Sequence, residues 1–313
     1  LVSGLNMKKL LKDNILIRKI DGAETAGSLN ILFSDKTGTI TKGALQVVDF
    51  ISPEGKDYQS FASIPDPLRE MLLINICGNT NAIALVNNGT LQVTGGNATE
   101  RALHEFVGVD GTLTYETYKM ECEDTLMFNS ANKYSASVMK GRLNRAIIKG
   151  APEKLLAYCT AYYGEDLQVH PLTDEVRAVL EKRMAALSEK AMRVLAFATS
   201  DNRIGEHLLQ DMTFVGMVGI RDELRPEAVQ AIQTAKRAGI QVVMVTGDKK
   251  ETAAAIARDA KLIESTDDLA LTSEDLASMS DEELKKVLPR LRVVARALPT
   301  DKSRLVRVSQ KLN

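Results

Sequence analysis

A carboxylate, a lysine and two hydroxyl groups lie within five residues of one another near the start of the chain. The segment is Asp35-Lys36-Thr37-Gly38-Thr39. A carboxylate can attack phosphorus in line, Lys36 can offset the charge of phosphoryl oxygens, and Gly38 lets backbone N–H groups approach them. We therefore predict that Asp35 is a nucleophile in phosphoryl transfer. The alternative is an ordinary polar turn after a strand.

Three short apolar segments predict the strands of one parallel sheet that would position this motif. A helical pattern that begins at Pro226, with an acid in its first turn, and ends at Gly239 leads into the second of these strands and gives a strand-helix-strand order. In open sheets of this kind ligands collect at the carboxyl ends of the strands, where Asp35, Thr246 and Gly247 would lie. The predicted strands cover residues 29–33, 240–245 and 291–295.

The middle of the chain has a different pattern and predicts a second domain inserted into the first. Asn88-Gly89 is typical of a hairpin turn, and alternating strand-like segments surround one amphipathic helix. We predict an inserted α+β domain on an antiparallel sheet at residues 46–212. Residues 1–45 and 213–313 would then form one discontinuous α/β domain.

Composition and charge exclude several classes of protein. Of the 313 residues, 44% are hydrophobic and 26% are charged, which is typical of ordinary globular proteins. Lys and Arg number 40 and Asp and Glu 41, so no basic field for nucleic acid is expected. The three cysteines form no C-x-x-C pair, which argues against a zinc site and a disulfide framework.

The ends of the chain and its hydropathy predict a soluble fragment. No segment approaches the roughly 18 apolar residues of a membrane helix, and no signal segment opens the chain. The chain begins at Leu1 without an initiator methionine and stops at Asn313 just after a basic helical pattern. We expect these to be the ends of an excised piece.

The motif around Asp35 resembles the signature of P-type ATPases, whose Asp forms an aspartyl-phosphate during ion transport. The matching segment at 34–41 is Ser-Asp-Lys-Thr-Gly-Thr-Ile-Thr, and Lys-Gly-Ala-Pro-Glu at 149–153 also agrees. The resemblance covers nearly the whole chain and is strongest to type II cation pumps of the bacterial calcium-transporting kind. It implies a haloacid-dehalogenase-like phosphorylation domain with an inserted nucleotide-binding domain.

The resemblance also implies roles around the phosphoryl group. Thr246 and Gly247 would hold this group, and Lys302 would offset its charge. Asp248 and Arg296 would help to orient ATP. Taken singly, Thr-Gly-Asp after a strand is a common turn and Lys302 a typical surface lysine, so these assignments depend on their joint order behind the motif.

The inserted domain would bind the adenine and ribose of ATP. Phe128 would stack on the base and Arg193 would reach towards the phosphates. Burial of Phe128 in a core beside Leu126 and Met127 is the alternative. The residues that the resemblance assigns to this pocket are Glu100, Phe128, Ser130, Lys133, Lys149, Gly150 and Arg193.

Several positions depart from the family pattern. Ser130 stands where close relatives carry Arg, and Asn97 where they carry an acid, so we expect modest affinity for ATP. At 222–225 the chain has Asp-Glu-Leu-Arg in place of Asp-Pro-Pro-Arg, which predicts a looser hinge.

The residue type at position 37 distinguishes a pump from a soluble phosphatase of the same fold, and here it is Thr37. Such phosphatases carry a second Asp two positions after the nucleophile, as the general acid/base that hydrolyses the intermediate. With Thr37 in that place, the phosphoenzyme should persist.

The family segment Gly-Asp-Gly-x-Asn-Asp, which supplies carboxylates for Mg²⁺, is expected soon after Lys302 but is absent before Asn313. Asp35 and Thr37 are then the predicted metal ligands, and Mg²⁺ binding should be weak because this ion prefers several oxygen ligands.

The sequence thus predicts the cytosolic catalytic part of an ATP-driven cation pump, at the cytoplasmic face of the cell membrane, with ATP and Mg²⁺ as cofactors. Its partners would be its own transmembrane and actuator domains and a transported cation that this part does not bind. The isolated chain is expected to be inactive. Two alternatives stay open: a haloacid-dehalogenase-like phosphatase, and a non-catalytic nucleotide-binding or regulatory module.

Overall fold

The computed structural model describes residues 31–311. The strands are β1 (Ile31–Asp35), β2 (Thr41–Ile51), β3 (Asp57–Tyr58), β4 (Ala82–Asn87), β5 (Thr90–Gly95), β6 (Cys122–Leu126), β7 (Tyr134–Met139), β8 (Ala146–Gly150), β9 (Cys159–Tyr163), β10 (Val169–Pro171), β11 (Arg193–Ser200), β12 (Met212–Leu224), β13 (Gln241–Val245), β14 (Leu269–Thr272) and β15 (Leu291–Ala295). The helices are α1 (Asp66–Gly78), α2 (Ala98–Thr112), α3 (Tyr115–Met120), α4 (Pro152–Tyr158), α5 (Asp174–Glu189), α6 (Pro226–Arg237), α7 (Lys250–Asp259), α8 (Ser273–Ala277), α9 (Asp281–Val287) and α10 (Pro299–Gln310).

The described residues form two compact units, 31–40 with 224–311 and 41–223. The sequence placed the divisions after residues 45 and 212 instead. The second unit extends further because β2 and β12 are long strands that pair with each other in its sheet. Asp222 fixes this pairing, since its carboxylate accepts hydrogen bonds from Thr41 Oγ1 at 2.6 Å and Gly43 N at 2.9 Å.

The first unit contains the predicted parallel sheet. Its order is β1-β13-β15-β14, and every neighbouring pair is parallel. The strand β14 was not predicted. Residues 29–30 of the first predicted strand lie outside the described part of the chain. Val243, Leu284 and Leu305 are fully buried in the core between this sheet and its helices.

Helix α6 shows why the local sequence forms the elements of this unit. Pro226 occupies the first turn, where a missing N–H costs nothing, and Glu227 adds an acid at the positive end of the helix dipole. Lys236 and Arg237 lie in the last turn, at the negative end. Gly239 follows with a φ of 79°, which ends the helix as the sequence predicted.

The second unit is built on a nine-stranded mixed sheet. Its main path runs β10-β9-β12-β11-β8-β7-β6, with β2 paired to β12 and β3 to β2. Along the main path, and between β2 and β3, the pairs are antiparallel except for β9 with β12. The predicted antiparallel sheet is therefore present, with one parallel pair. The predicted turn at Asn88-Gly89 joins β4 to β5 in a separate hairpin, with positive φ at both residues.

Apolar residues on the two faces of this sheet pack into two cores. Ile147 and Phe197 contribute to one core with α1 and α3. The neighbouring residues Ile148 and Ala198 contribute to the other, with α4 and α5. This alternation follows from strand geometry, in which successive side chains point to opposite faces.

No helix within residues 31–311 combines the length and the apolar composition that crossing a membrane requires.

Candidate functional site

Asp35 is the last residue of β1 and is exposed at the carboxyl edge of the parallel sheet. The β1–β13 register pairs Asp35 with Val245, so both strands end at the same level. Thr246 follows directly and is buried, and its Oγ1 accepts a 3.2 Å hydrogen bond from Asp248 N. The structure thus places the predicted nucleophile and the Thr-Gly-Asp turn at one edge of the sheet.

Backbone hydrogen bonds join the loops that follow β13 and β15. Arg296 N donates to Asp248 O at 2.9 Å, and Ala297 N donates to Thr246 O at 3.0 Å. Arg296 has a φ of 50°, a left-handed conformation that is uncommon outside glycine, and its side chain is exposed. Main-chain hydrogen bonds therefore hold together the loops of Thr246, Asp248 and Arg296, three residues predicted to contact ATP or its phosphoryl group.

Lys36 is paired with a carboxylate of this group. Its Nζ lies 2.5 Å from Asp248 Oδ2, and the lysine is only 8% exposed. The predicted role for Lys36 was to offset phosphoryl charge. In the structure, the carboxylate of Asp248 already balances part of the positive charge of Lys36. The pair also connects the turn after β1 to the turn after β13.

Gly38 is required by the backbone of the turn that carries the motif. Thr37 has φ −71° and ψ 123° and Gly38 has φ 77° and ψ −5°, which are the angles of a type II turn. Arg225 holds this turn, since its Nη2 donates to Gly38 O at 3.1 Å and its N donates to Ile40 O at 2.9 Å. The sequence explained Gly38 by close approach of a phosphate, and the structure adds a conformational reason.

Gly247 differs from Gly38 in its backbone conformation but not in the free space around it, which is open at both residues. Its φ lies outside the left-handed region, and a Cβ built on it would have no atom within 4 Å. The fold of this unit therefore gives no reason for a glycine at position 247.

Lys302 is not joined to this group by a hydrogen bond or an ion pair in the described part of the chain. It is exposed in the first turn of α10 and makes no hydrogen bond or ion pair with the described residues. The residues that the structure does bring together in the first unit are Asp35, Lys36, Thr246, Asp248 and Arg296.

The described residues do not form a complete metal site. Between residues 31 and 311, no group of three or more His, Cys, Asp or Glu lies close enough together to hold a metal ion. Asp35 and Thr37, the predicted Mg²⁺ ligands, are both exposed and would supply only part of the oxygen shell of this ion.

A cavity of about 400 Å³ lies in the second unit. Four of its lining residues were predicted from the sequence to bind nucleotide. The lining residues are Asn97, Ala98, Thr99, Glu100, Phe128, Ser135, Lys149, Arg193 and Leu195.

Three adjacent strands form the floor of this cavity. Ser135 on β7 and Lys149 on β8 are directly opposite each other, so their side chains share one face of the sheet. Arg193 and Leu195 are two residues apart on β11 and also share a face. The start of α2 and the loop after β6, which carries Phe128, complete the lining.

Lys149 is held by two buried acceptors. Its Nζ lies 3.2 Å from Glu100 Oε1 and also donates to Asn79 O, and the lysine and glutamate side chains are each 7% exposed. Burial lowers the pKa of Lys149, and the negative charge of Glu100 opposes that shift. Asn79 also donates from Nδ2 to Ser135 O at 3.1 Å, so it connects β7 with β8.

Asn97 and Glu100 form a capping box at the start of α2. Glu100 N donates to Asn97 Oδ1 at 2.8 Å, and Asn97 N donates to Glu100 Oε2 at 3.3 Å. The sequence analysis treated Asn97 only as a departure from an acid. The spacing Asn-x-x-Glu is the signal that could have assigned both residues to a helix start.

Phe128 is not a core residue. The residue is 55% exposed and lines the cavity, so the alternative of core burial is wrong. Arg193 is exposed as well, and its Nη1 donates to Thr99 Oγ1 at 3.3 Å at the start of α2. An aromatic face and a guanidinium group are therefore accessible at this cavity.

The remaining predicted residues lie outside the cavity lining. Ser130 and Lys133 are exposed, and Lys133 O accepts a 3.0 Å hydrogen bond from Ala151 N. A Cβ on Gly150 would lie 2.5 Å from Lys133 O and 2.6 Å from Tyr134 Cβ. The fold therefore requires glycine at position 150 because the neighbouring strand is too close for a side chain.

Four lining residues were not predicted at all: Ala98, Thr99, Ser135 and Leu195. Ser135 and Leu195 lie in apolar strands. The alternation of side chains along each strand predicts which residues share a face, but not which strand lies beside it. Only the pairing of β7, β8 and β11 shows that both residues face the same cavity.

Comparisons with known proteins agree with these features. The model of the family described as "P-type ATPase, cytoplasmic domain N" matches residues 67–227. A calcium-transporting ATPase of Listeria monocytogenes is 33% identical over 325 residues, which cover 99% of this chain and 36% of the relative. A plasma membrane-type calcium-transporting ATPase 3 of Oryza sativa is 34% identical over 319 residues, which cover 96% of this chain and 30% of the relative.

The calcium-transporting ATPase PAT1 of Dictyostelium discoideum is 34% identical over 314 residues, with 96% of this chain and 28% of the relative covered. The chain thus spans about a third of the length of these curated relatives. Since the family model covers half of the chain and the relatives match nearly all of it, the chain belongs to the P-type ATPase family.

Proposed function

We propose that this chain binds ATP and accepts its γ-phosphoryl group on Asp35, as the catalytic part of an ATP-driven cation pump. The second unit would be the nucleotide-binding domain, with the cavity as the site for the base. The first unit would be a haloacid-dehalogenase-like phosphorylation domain. The observation that carries this proposal is that Glu100, Phe128, Lys149 and Arg193 line one cavity.

The cavity has the chemical groups that a nucleotide needs. The exposed ring of Phe128 offers a stacking surface, and Leu195 adds an apolar contact for a base. Lys149 and Glu100 largely neutralise each other, so the cation left for phosphate oxygens at this cavity is Arg193. Lys133 is exposed two residues before Ser135, and we propose it as a second candidate for a phosphate contact.

Asp35 would act as the nucleophile in phosphoryl transfer. Its carboxylate oxygen forms a bond to the γ-phosphorus while the bond to the bridging oxygen of ADP breaks, and ADP leaves with that electron pair. The open space over Gly247 and the hydroxyl of Thr246 are suited to a phosphoryl group at this edge. Lys302, from the first turn of α10, would add positive charge.

Mg²⁺ would bring further positive charge to the phosphoryl oxygens, with Asp35 and Thr37 as two of its ligands. The described residues provide no further carboxylate cluster for it. Since Mg²⁺ prefers a full oxygen shell, other groups must complete its coordination.

The transported ion is proposed from the relatives. The three curated relatives compared above carry names of calcium-transporting ATPases and come from Listeria monocytogenes, Oryza sativa and Dictyostelium discoideum. We propose calcium as the cation, and the cytoplasmic face of a membrane as the location. The partners would be the transmembrane and actuator domains of the same pump.

Titration of the ¹⁵N-labelled chain with ATP tests the nucleotide site. The expected result is saturable shifts of the amides of Glu100, Phe128 and Lys149 at millimolar ATP or below, with or without Mg²⁺. The single carboxylate of the cavity is already paired with Lys149, so Mg²⁺ should change this binding little. Absence of any response at millimolar ATP contradicts the proposal.

A soluble phosphatase is the alternative, and position 37 argues against it. A phosphatase of this fold needs an acid/base two residues after the nucleophile, and Thr37 has no carboxyl group. Release of phosphate from simple phosphomonoesters at rates that Asp35→Asn abolishes would favour the phosphatase.

A further inference from the structure

Ser135 has a buried hydroxyl group with no hydrogen-bond partner among the described residues. The residue is 5% exposed, and its Oγ is shielded from solvent. Ser135 nevertheless lines the cavity of the second unit. Burial of a hydroxyl without a partner is unfavourable, and most buried polar side chains in folded proteins are hydrogen-bonded.

Two other buried hydroxyls of this unit have hydrogen-bond partners. Thr199 Oγ1 lies 2.7 Å from Tyr163 Oη, and Thr80 Oγ1 lies 3.1 Å from His104 Nε2. The main chain of Ser135 is also held, since its carbonyl oxygen accepts from Asn79 Nδ2 at 3.1 Å. The fold therefore holds the main chain of Ser135 in place. Its hydroxyl stays able to form a hydrogen bond with a group that enters the cavity.

The neighbour of Ser135 across the strands adds a second polar group. Lys149 is directly opposite Ser135, and its ammonium group has three N–H donors. Asn79 O and Glu100 Oε1 accept two of them, which leaves one. The cavity floor thus offers a hydroxyl, which donates or accepts, beside one remaining ammonium donor.

Apolar groups surround these two polar ones. Leu195 lies on the floor, and the exposed ring of Phe128 lines the same cavity. A planar heterocycle with adjacent donors and acceptors on one edge is complementary to this arrangement. A phosphate group is a poorer match beside Ser135, because Lys149, the cation directly opposite it, is already paired with Glu100.

We infer that the hydroxyl group of Ser135 binds the polar edge of the nucleotide base by a hydrogen bond, and that Ser135 is therefore a base-binding residue of this chain. The inference rests on the proposed function, because it requires that a nucleotide occupies the cavity.

Ser135→Ala removes the hydroxyl with almost no change in volume. Isothermal titration of the purified chain with ATP should show an affinity about three- to tenfold lower for this variant, which is the range for one neutral hydrogen bond. The matched control is Ser137→Ala, which removes a buried hydroxyl two residues further along β7 and outside the cavity lining. This control should bind ATP like the wild type.

Two other ligands identify the part of the nucleotide that Ser135 contacts. AMP lacks the outer phosphates, and 2′,3′-dideoxy-ATP lacks both ribose hydroxyls. If Ser135 binds the base, Ser135→Ala should weaken all three ligands by the same factor. A loss that disappears with AMP, or with the dideoxy nucleotide, places the hydroxyl at a phosphate or at the ribose and overturns the inference.

Thermal unfolding without nucleotide separates a binding role from a structural one. Since the hydroxyl has no hydrogen-bond partner within residues 31–311, Ser135→Ala should unfold at the same temperature as the wild type or higher. A marked loss of stability would mean that the hydroxyl serves the fold, which contradicts the inference. If the wild-type chain binds no ATP, the proposed function is wrong; if it binds ATP and Ser135→Ala binds equally well, only the present inference is wrong.

Discussion

Lys149 Nζ lies 3.2 Å from Glu100 Oε1 at a place where both side chains are 7% exposed. The pair connects strand β8 with the first turn of α2, and Glu100 also closes the capping box with Asn97. One ion pair therefore fixes the position of the helix start against the floor of the cavity. A change to this pair is therefore expected to alter the stability of the fold as well as the proposed nucleotide site.

Lys149→Met should destabilise the chain by about 3–5 kcal/mol, because it leaves Glu100 buried without its cation. Denaturant unfolding measures this change. Adding Glu100→Gln to the same chain should restore part of the loss, since the unpaired charge is then removed. The matched control is Arg203→Met, which breaks the exposed pair with Glu123 and should cost less than about 1 kcal/mol. Equal losses for the two single variants would contradict this account.

Phe128→Ala should weaken ATP binding by about 1–3 kcal/mol, the range for stacking of one base on an aromatic ring. Calorimetric titration gives the affinity, and thermal unfolding of the free chain gives the stability. The unfolding temperature should hardly change because Phe128 is 55% exposed. Met127→Ala, at an exposed neighbour outside the cavity lining, is the control and should keep both values. Unchanged affinity of Phe128→Ala for ATP would remove Phe128 from the site.

Gly38→Ala and Gly247→Ala should have different effects on stability. Ala at position 38 must adopt φ 77°, which costs about 1–2 kcal/mol for a residue with a Cβ. Ala at position 247 meets neither a positive φ nor a neighbouring atom, so the free energy of unfolding should stay within about 0.5 kcal/mol of the wild type. Urea unfolding of both variants tests this contrast, and a large loss for Gly247→Ala would show that the fold requires that glycine.

His104 should make stability depend on pH between about 4 and 6.5. Burial lowers its pKa from 6.5 to about 4, and the positive charges of Lys149 and Lys119 add to this shift while Glu100 opposes it. The unfolded chain therefore binds a proton in this range that the folded chain does not, so stability falls as the pH falls. At pH 4 and below, His104 should lower the free energy of unfolding by about 3 kcal/mol relative to pH 7.

Unfolding curves of the wild type and His104→Gln at pH 7, 6, 5 and 4 test this pH dependence. The variant should lack the part of the loss that His104 causes, whereas His170→Gln, at an exposed histidine, should follow the wild type. Identical slopes for all three proteins would contradict the assignment to His104.

Asp35→Asn should abolish acid-stable labelling by ATP radioactive in its γ-phosphate. The assay belongs in a longer pump that contains this chain, its transport helices and its ion, since Mg²⁺ lacks a full ligand set among residues 31–311. The chain alone should label little or not at all. Labelling that survives in Asp35→Asn would show that another residue is the nucleophile, and efficient labelling of the chain alone would contradict the metal argument.

The sequence by itself determined the features that depend on near neighbours along the chain. Asp35 at a strand end, the start of α6 at Pro226 and the hairpin at Asn88 are all local patterns of side-chain type and φ, and the structure has each of them. The family match has the same basis, because short motifs keep their order and spacing.

Only the tertiary structure decided which of these residues meet and which are buried. Lys36 contacts Asp248, more than two hundred positions away, and Ser135 faces Lys149 through strand pairing. Phe128 has apolar neighbours in sequence and is nevertheless exposed, because it lies in the loop between β6 and β7 and not in a strand. Burial and ion pairing depend on contacts between segments that are distant in sequence, and these contacts exist only once the sheets have assembled.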